Sequence, residues 1–323
     1  MRIAWLDCVR VLATTLVLLC HWGQSLGQGS WGVAGGVANC IFFVLSGFCL
    51  GFRWRENGCH GFGMVFAKRR FYRLYAPFFV FVAAYTVILA NSEGLDSVST
   101  LMNFLMLSWF FKLPGAGHLW FVTGMALTYV VLMGVSRIGE RMGKRQLLVA
   151  MFVSLFCVSA QSLLAYVGIR QAYFLTMLWG SVVAFLFGGK VHEVMQNSRL
   201  RWLVLQVTIV VAALLITLLV AHWKALEGHM VLYYWLCMAV AMATMVLMMV
   251  IKVNRPLPTV GFLAMISYEI YLVHYPLCSD SPLFLLRLAG NAVAYGIMLL
   301  AASLLFGFVL HIVGNSVSRV INR

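Results

Sequence analysis

The sequence predicts an all-α, polytopic membrane helix bundle of about ten transmembrane helices, with both termini cytoplasmic and one membrane-embedded domain over residues 1–323. Three observations predict it. Hydrophobic residues make up 63% of the chain and charged residues 10%, where a soluble domain carries roughly 25% charge. Mean hydropathy is +0.95. The apolar runs are continuous over membrane-length windows, whereas a barrel shows alternating apolar and polar positions. Finally, basic residues gather in short clusters between those runs, as the positive-inside rule requires of cytoplasmic loops.

Ten apolar runs follow one another: 3–22, 31–52, 74–90, 119–136, 147–165, 171–188, 202–221, 231–251, 259–277 and 290–313. Each has the length needed to cross about 30 Å of hydrocarbon. With both termini inside, 18 Lys and Arg residues fall on the cytoplasmic side. Lys112, Arg170, Lys224 and Arg287 fall outside, and Arg10 lies within the first run. The stretch "TLMNFLMLSWFF" (Thr100 to Phe111) is apolar but too short to span, and is expected to be interfacial or re-entrant. No soluble extension and no internal repeat are expected.

The first run, "LDCVRVLATTLVLLCHW", carries Asp7, Arg10 and His21. A basic start followed by an apolar run also describes a signal peptide. Here Asp7 and Arg10 interrupt the run and no A-x-A site follows His21, so a retained helix is expected. A central Asp or Arg costs about 2.5–3.5 kcal/mol on insertion scales, so each needs a reason. Asp7 and Arg10 are three apart and share a helical face. They form either a structural pair near the cytoplasmic interface or a device that sets Arg10 beside a ligand. His21 lies roughly 16 Å further along a helix, beyond reach of that pair, so its partners must come from another helix. It is either an interfacial residue or a general base, the role its ordinary pKa suits.

In the second run, "FFVLSGFCLGF" places Ser46 and Gly47 within an apolar helix. Small residues there allow close helix packing; they also allow a kink or the approach of a ligand. "AKRRFYRLYAPFF" opens the third span, with Arg70 and Arg73 at i and i+3. They are a stop-transfer cluster or a phosphate site, for which Arg supplies forked donors. "GHLWFV" opens the fourth span, where His118 and Trp120 belong to an aromatic belt or to a site. "ISYEIYLVHYPL" sets Glu269, Tyr271 and His274 in the ninth span; an embedded Glu with a His is also the mark of a transporter's proton relay.

Other chemistries find little support. The net charge of +14 is accounted for by the loop clusters, so no nucleic-acid partner is expected; part of it can meet anionic lipid or a phosphorylated ligand. The eight cysteines form no CxxC pair, which argues against a zinc site or a disulfide framework. No HxxxH or HxxEH pattern occurs, so no metal is expected. No G-x-S-x-G occurs, which disfavours a Ser-His-Asp hydrolase.

In their order along the chain, "LDCVRVLATTLVLLCH", "FFVLSGF", "RRFYRLYAP", "HLWFV" and "ISYEIYLVHYPL" resemble the acyltransferase 3 family of integral membrane acyltransferases. The resemblance implies transfer of an acyl group, commonly acetyl, from cytoplasmic acyl-CoA to a hydroxyl of a cell-surface or lipid-linked glycan in a bacterial inner membrane. Acetyl-CoA would be a donor substrate, and no cofactor would be bound permanently. By motif position the resemblance marks Arg10 and His21 as essential, with Asp7 beside them. Arg70, Arg73 and Ser46 are assigned to acyl-CoA, and His118, Trp120, Glu269, Tyr271 and His274 support the site. On this reading the first helix lines a polar passage, with Arg10 in its cytoplasmic half and His21 in its outer half. One departure is clear: longer relatives often carry a glutamate shortly after the equivalent of Trp120, and "VTGMALTY" has none. The rival readings are a transporter of a carboxylated or glycan-like solute and a nonenzymatic partner in a polysaccharide assembly complex.

Overall fold

The computed structural model describes residues 4–56, 64–90, 95–127, 129–130, 197–227, 229–251, 257–278 and 281–321, with isolated positions 156, 159, 160 and 163. All regular structure among these residues is helical. The helices are α1 (Ala4–Ser25), α2 (Gly32–Glu56), α3 (Met64–Ile88), α4 (Ser97–Phe104), α5 (Ser198–Ala221), α6 (Trp223–Glu227), α7 (Met230–Val250), α8 (Pro258–Cys278) and α9 (Ala292–Ile321). Helical residues 120–127 follow a 3-10 turn at Gly117–Leu119. Seven helices among the described residues are long and apolar enough to cross a membrane, and they coincide with seven of the ten apolar runs. The run 171–188, the run 147–165 apart from those isolated positions, and the part of 119–136 beyond Val130 lie outside the described residues.

The chain divides into two compact units. The first comprises Met1–Leu16, Gly32–Gly63 and Thr128–Ala264. Within it α7 packs on both α2 and α5. A Cβ at Gly36 would fall on the Tyr233 hydroxyl, so glycine is what lets α2 approach α7 there. Helix α5 is the opposite case: only 6% of its apolar window is buried, with Trp202, Leu203 and Leu214 exposed. In water such a helix would be unstable; against lipid tails it is at home.

The second unit comprises Val17–Trp31, Met64–Leu127 and Met265–Arg323. Its frame is α9 lying against α3 and against the C-terminal half of α8. Two glycines permit the approach. A Cβ on Gly314 would lie 3.1 Å from Pro77 Cα, and one on Gly307 would lie 3.1 Å from the Ile270 amide nitrogen. Pro77 sits inside α3 without ending it. The stretch Thr100 to Phe111 holds the short α4, capped by Asp96, and then turns at Met106, whose φ is 60°.

Candidate functional site in the second unit

The loop "LPGAGHLW" reaches the site first. Gly115 takes a φ of 63°, which a side chain would resist. The Tyr85 hydroxyl donates to the Pro114 carbonyl at 2.8 Å and fixes the loop to α3. The chain then tightens into the turn that carries His118, and both His118 and Leu119 are buried.

The end of α1 is tied down as firmly. Trp22 Nε1 donates to the Ala292 carbonyl at 3.1 Å. Ser25 Oγ shares its proton between the His21 carbonyl and the Cys278 carbonyl, the latter at 3.0 Å. Tyr295 in turn donates to Ser25 Oγ at 3.0 Å. These bonds fix the last turn of α1, and with it the His21 backbone, against α8 and α9.

His21, His118 and His274 are thereby gathered around one tyrosine. The His21 ring lies 5.2 Å from that of His274 and meets the Tyr275 ring edge-on at 4.7 Å. His118 stacks on Tyr275 at 4.9 Å and meets His274 edge-on at 5.4 Å. Two of the histidines have their tautomers set by backbone. His118 Nε2 lies 3.0 Å from the Leu272 carbonyl, and His274 Nδ1 lies 2.7 Å from the Tyr271 carbonyl. A carbonyl only accepts, so each of those nitrogens carries the proton. The other nitrogens, His118 Nδ1 and His274 Nε2, are buried and have no hydrogen-bond partner among the described residues. A buried acceptor left bare is unfavourable by about 1–3 kcal/mol. Two such lone pairs, in rings of fixed tautomer whose centroids are 5.4 Å apart, are suited to receiving a hydroxyl hydrogen bond. Tyr271 completes the cluster by donating its hydroxyl to the His118 carbonyl at 2.9 Å.

The remaining sequence-marked residues are distributed more widely. Trp120 is half-buried and stands edge-on to Trp109 at 6.0 Å. Glu269 does not face His274. Its partner is His311 of α9, whose Nδ1 lies 2.9 Å from Glu269 Oε1. Arg73 is exposed on α3, and the side chain of Arg70 lies outside the described residues. Asp7, Arg10 and Ser46 belong to the first unit. There Arg10 pairs with buried Asp7 at 3.6 Å, while α2 runs unbroken through half-buried Ser46. Among the described residues no group of three potential metal ligands occurs.

Two participants carry no motif signal. His311 was readable by one rule only, that an ionisable residue inside an apolar run needs a reason. Tyr275 is one of three tyrosines in its motif, and only the ring contacts distinguish it.

Membrane-length helices, some of which bury histidines rather than exclude them, mark an integral membrane protein. Residues 3–312 match the family described as "Acyltransferase domain", and the chain belongs to this acyltransferase 3 family. It is therefore a membrane acyltransferase. No curated protein and no solved structure matches the chain.

Proposed function

We propose that the protein is an O-acyltransferase that moves an acyl group, in the first instance acetyl, from cytoplasmic acyl-CoA to a hydroxyl of a cell-surface or lipid-linked glycan. The observation that carries the reading is the gathering of His21, His118 and His274 around Tyr275. A thioester is already reactive toward an alkoxide; what the reaction lacks is a base for the acceptor hydroxyl.

In the proposed reaction His21 takes the hydroxyl proton as the oxygen attacks the thioester carbonyl. The new C–O bond forms, the C–S bond breaks, and the proton passes from the imidazolium to the departing thiolate. His118 and His274, neutral and oriented by backbone carbonyls, hold the acceptor sugar by accepting from its hydroxyls. Arg70 and Arg73 on α3 bind the phosphates of coenzyme A. Ten spans with both termini cytoplasmic complete the proposal, supported by the basic clusters of the loops. Such an enzyme belongs in a bacterial inner membrane, where cytoplasmic acyl-CoA and lipid-linked saccharides meet.

The test is His21→Ala in native membranes supplied with radiolabelled acetyl-CoA. Incorporation of label into glycan is expected to fall by about 10²- to 10⁴-fold while the protein stays inserted. Near-normal incorporation would remove His21 as the base.

A further inference from the structure

The proposed reaction leaves one charge unattended. As the acceptor oxygen adds to the thioester, the carbonyl oxygen becomes an oxyanion, and preorganised donors at that point lower the barrier more than any other single device. His118 and His274 cannot serve, because the only protons they carry are already given to the Leu272 and Tyr271 carbonyls.

Four tyrosines of this unit have committed hydroxyls. Tyr85 donates to the Pro114 carbonyl, Tyr268 to the Leu74 carbonyl, Tyr271 to the His118 carbonyl and Tyr295 to Ser25. Tyr275 lies within the histidine cluster, its ring met edge-on by His21 and stacked on His118. Yet among the described residues its hydroxyl has no hydrogen-bond partner. Gly117 stands beside that hydroxyl: even a Cβ added there would come only to 3.9 Å from it. The result is a rigidly held donor with its proton uncommitted and room beside it.

We propose that the Tyr275 hydroxyl is a catalytic hydrogen-bond donor to the thioester carbonyl oxygen, stabilising the oxyanion that forms when the acceptor hydroxyl adds. The assignment rests on the reading of His21 as base. Tyr275 neither gains nor loses a proton in the step; it donates a hydrogen bond that strengthens as the oxygen becomes negative and relaxes when the C–S bond breaks.

Tyr275→Phe keeps the ring in contact with His21 and His118 and removes only the donor. Incorporation of label from saturating acetyl-CoA in native membranes is expected to drop by about 10²-fold, with acetyl-CoA binding to the purified full chain unchanged. Full activity in Tyr275→Phe, with His21→Ala inactive, overturns the role of Tyr275 and leaves the base in place. Full activity in His21→Ala overturns the underlying reading instead. Should Tyr275→Phe fail to fold, 3,5-difluorotyrosine at position 275 decides the matter. Its more acidic phenol loses the donated proton at lower pH, so the alkaline fall in activity should move to lower pH. His21, His118 and His274 are common to both proteins, so the displacement belongs to residue 275. An identical pH profile would reduce Tyr275 to a packing residue.

Discussion

His311 Nδ1 lies 2.9 Å from Glu269 Oε1, which makes α9 and α8 partners through a partly buried polar pair. Asn315 Nδ2 stands 2.9 Å from His311 Nε2 on the next turn of α9. If the amide donates, Nε2 is bare and Nδ1 carries the proton that Glu269 accepts. Gly307 and Gly314 lie a turn below and above His311, and a Cβ at either would crowd Ile270 or Pro77. The pair exists because the glycines bring the helices near enough to make it.

Removing one member of this pair should therefore be worse than removing both. His311→Ala takes this partner from buried Glu269 and is expected to destabilise the protein by about 1–3 kcal/mol. The double replacement Glu269→Leu with His311→Leu should recover most of that loss, since a packed apolar pair of similar size is often neutral or better. Thermal unfolding of the purified protein and a double-mutant cycle measure the coupling. Strictly additive effects would show that the two side chains do not depend on each other.

The membrane topology makes a separate prediction. Single-cysteine labelling from each side of the membrane is expected to find the loop 137–145, with its four basic residues, on the cytoplasmic face. It should find 222–230, where His222 and Lys224 are exposed, on the outer face. Both loops reacting from one side would rule out the ten-span arrangement.

Much of the bundle was legible because the membrane imposes a simple rule: a segment must be apolar along its whole length to cross. That rule found α1, α2, α3, α5, α7, α8 and α9, although α3 begins ten residues before its apolar run and α9 continues eight residues past its own. It also flagged the ionisable residues that a span should not contain. It could not say which of them meet. Glu269 and His274 share a motif, yet five residues on a helix set them on different faces, and Glu269 turns to a histidine 42 positions away. The transporter-like Glu–His relay read within that motif is not formed. His21, by contrast, needed partners from another helix and finds them in His274 and Tyr275. Such contacts are set by close helix approach at small residues such as Gly307 and by backbone carbonyls that orient rings. Neither feature leaves a pattern in the order of side chains.

Asp96 supplies a pH-dependent prediction outside the membrane-spanning helices. Hydrogen bonds from Ser99, and then from the Val98 amide, hold its carboxyl below the usual carboxylate range. A carboxylate whose pKa is lower in the folded state stabilises the fold above its unfolded pKa. That contribution fades as pH falls through the folded value. Helix α4 should therefore fray in acid. Amide exchange at residues 97–104 is expected to rise as pH is lowered toward 3, after correction for intrinsic rates. Asp96→Asn, which keeps the cap without the charge, should abolish the pH dependence. Equal acid sensitivity in both proteins would assign the fraying elsewhere.

Arg70 and Arg73 can be separated from the topology signal to which they also contribute. They stand three apart at the start of the third apolar run, on one face of α3. Coenzyme A brings several negative phosphate charges to the cytoplasmic side. A guanidinium binds a phosphate through two parallel N–H donors, whereas a lysine ammonium offers a point charge. Retention of a loop on the cytoplasmic side requires positive charge alone, and lysine supplies it equally well. The double replacement Arg70→Lys with Arg73→Lys therefore preserves orientation and removes the forked geometry. Insertion and loop labelling are expected to be unchanged. Affinity for acetyl-CoA, measured directly on purified protein in detergent, is expected to fall by roughly 1.5–3 kcal/mol for each charge-assisted bond lost. Because the change lies at the donor end, the rate at saturating acetyl-CoA should move less than the affinity. A double-lysine protein that binds acetyl-CoA as tightly as the original would reduce both arginines to markers of topology and leave the phosphates to other residues.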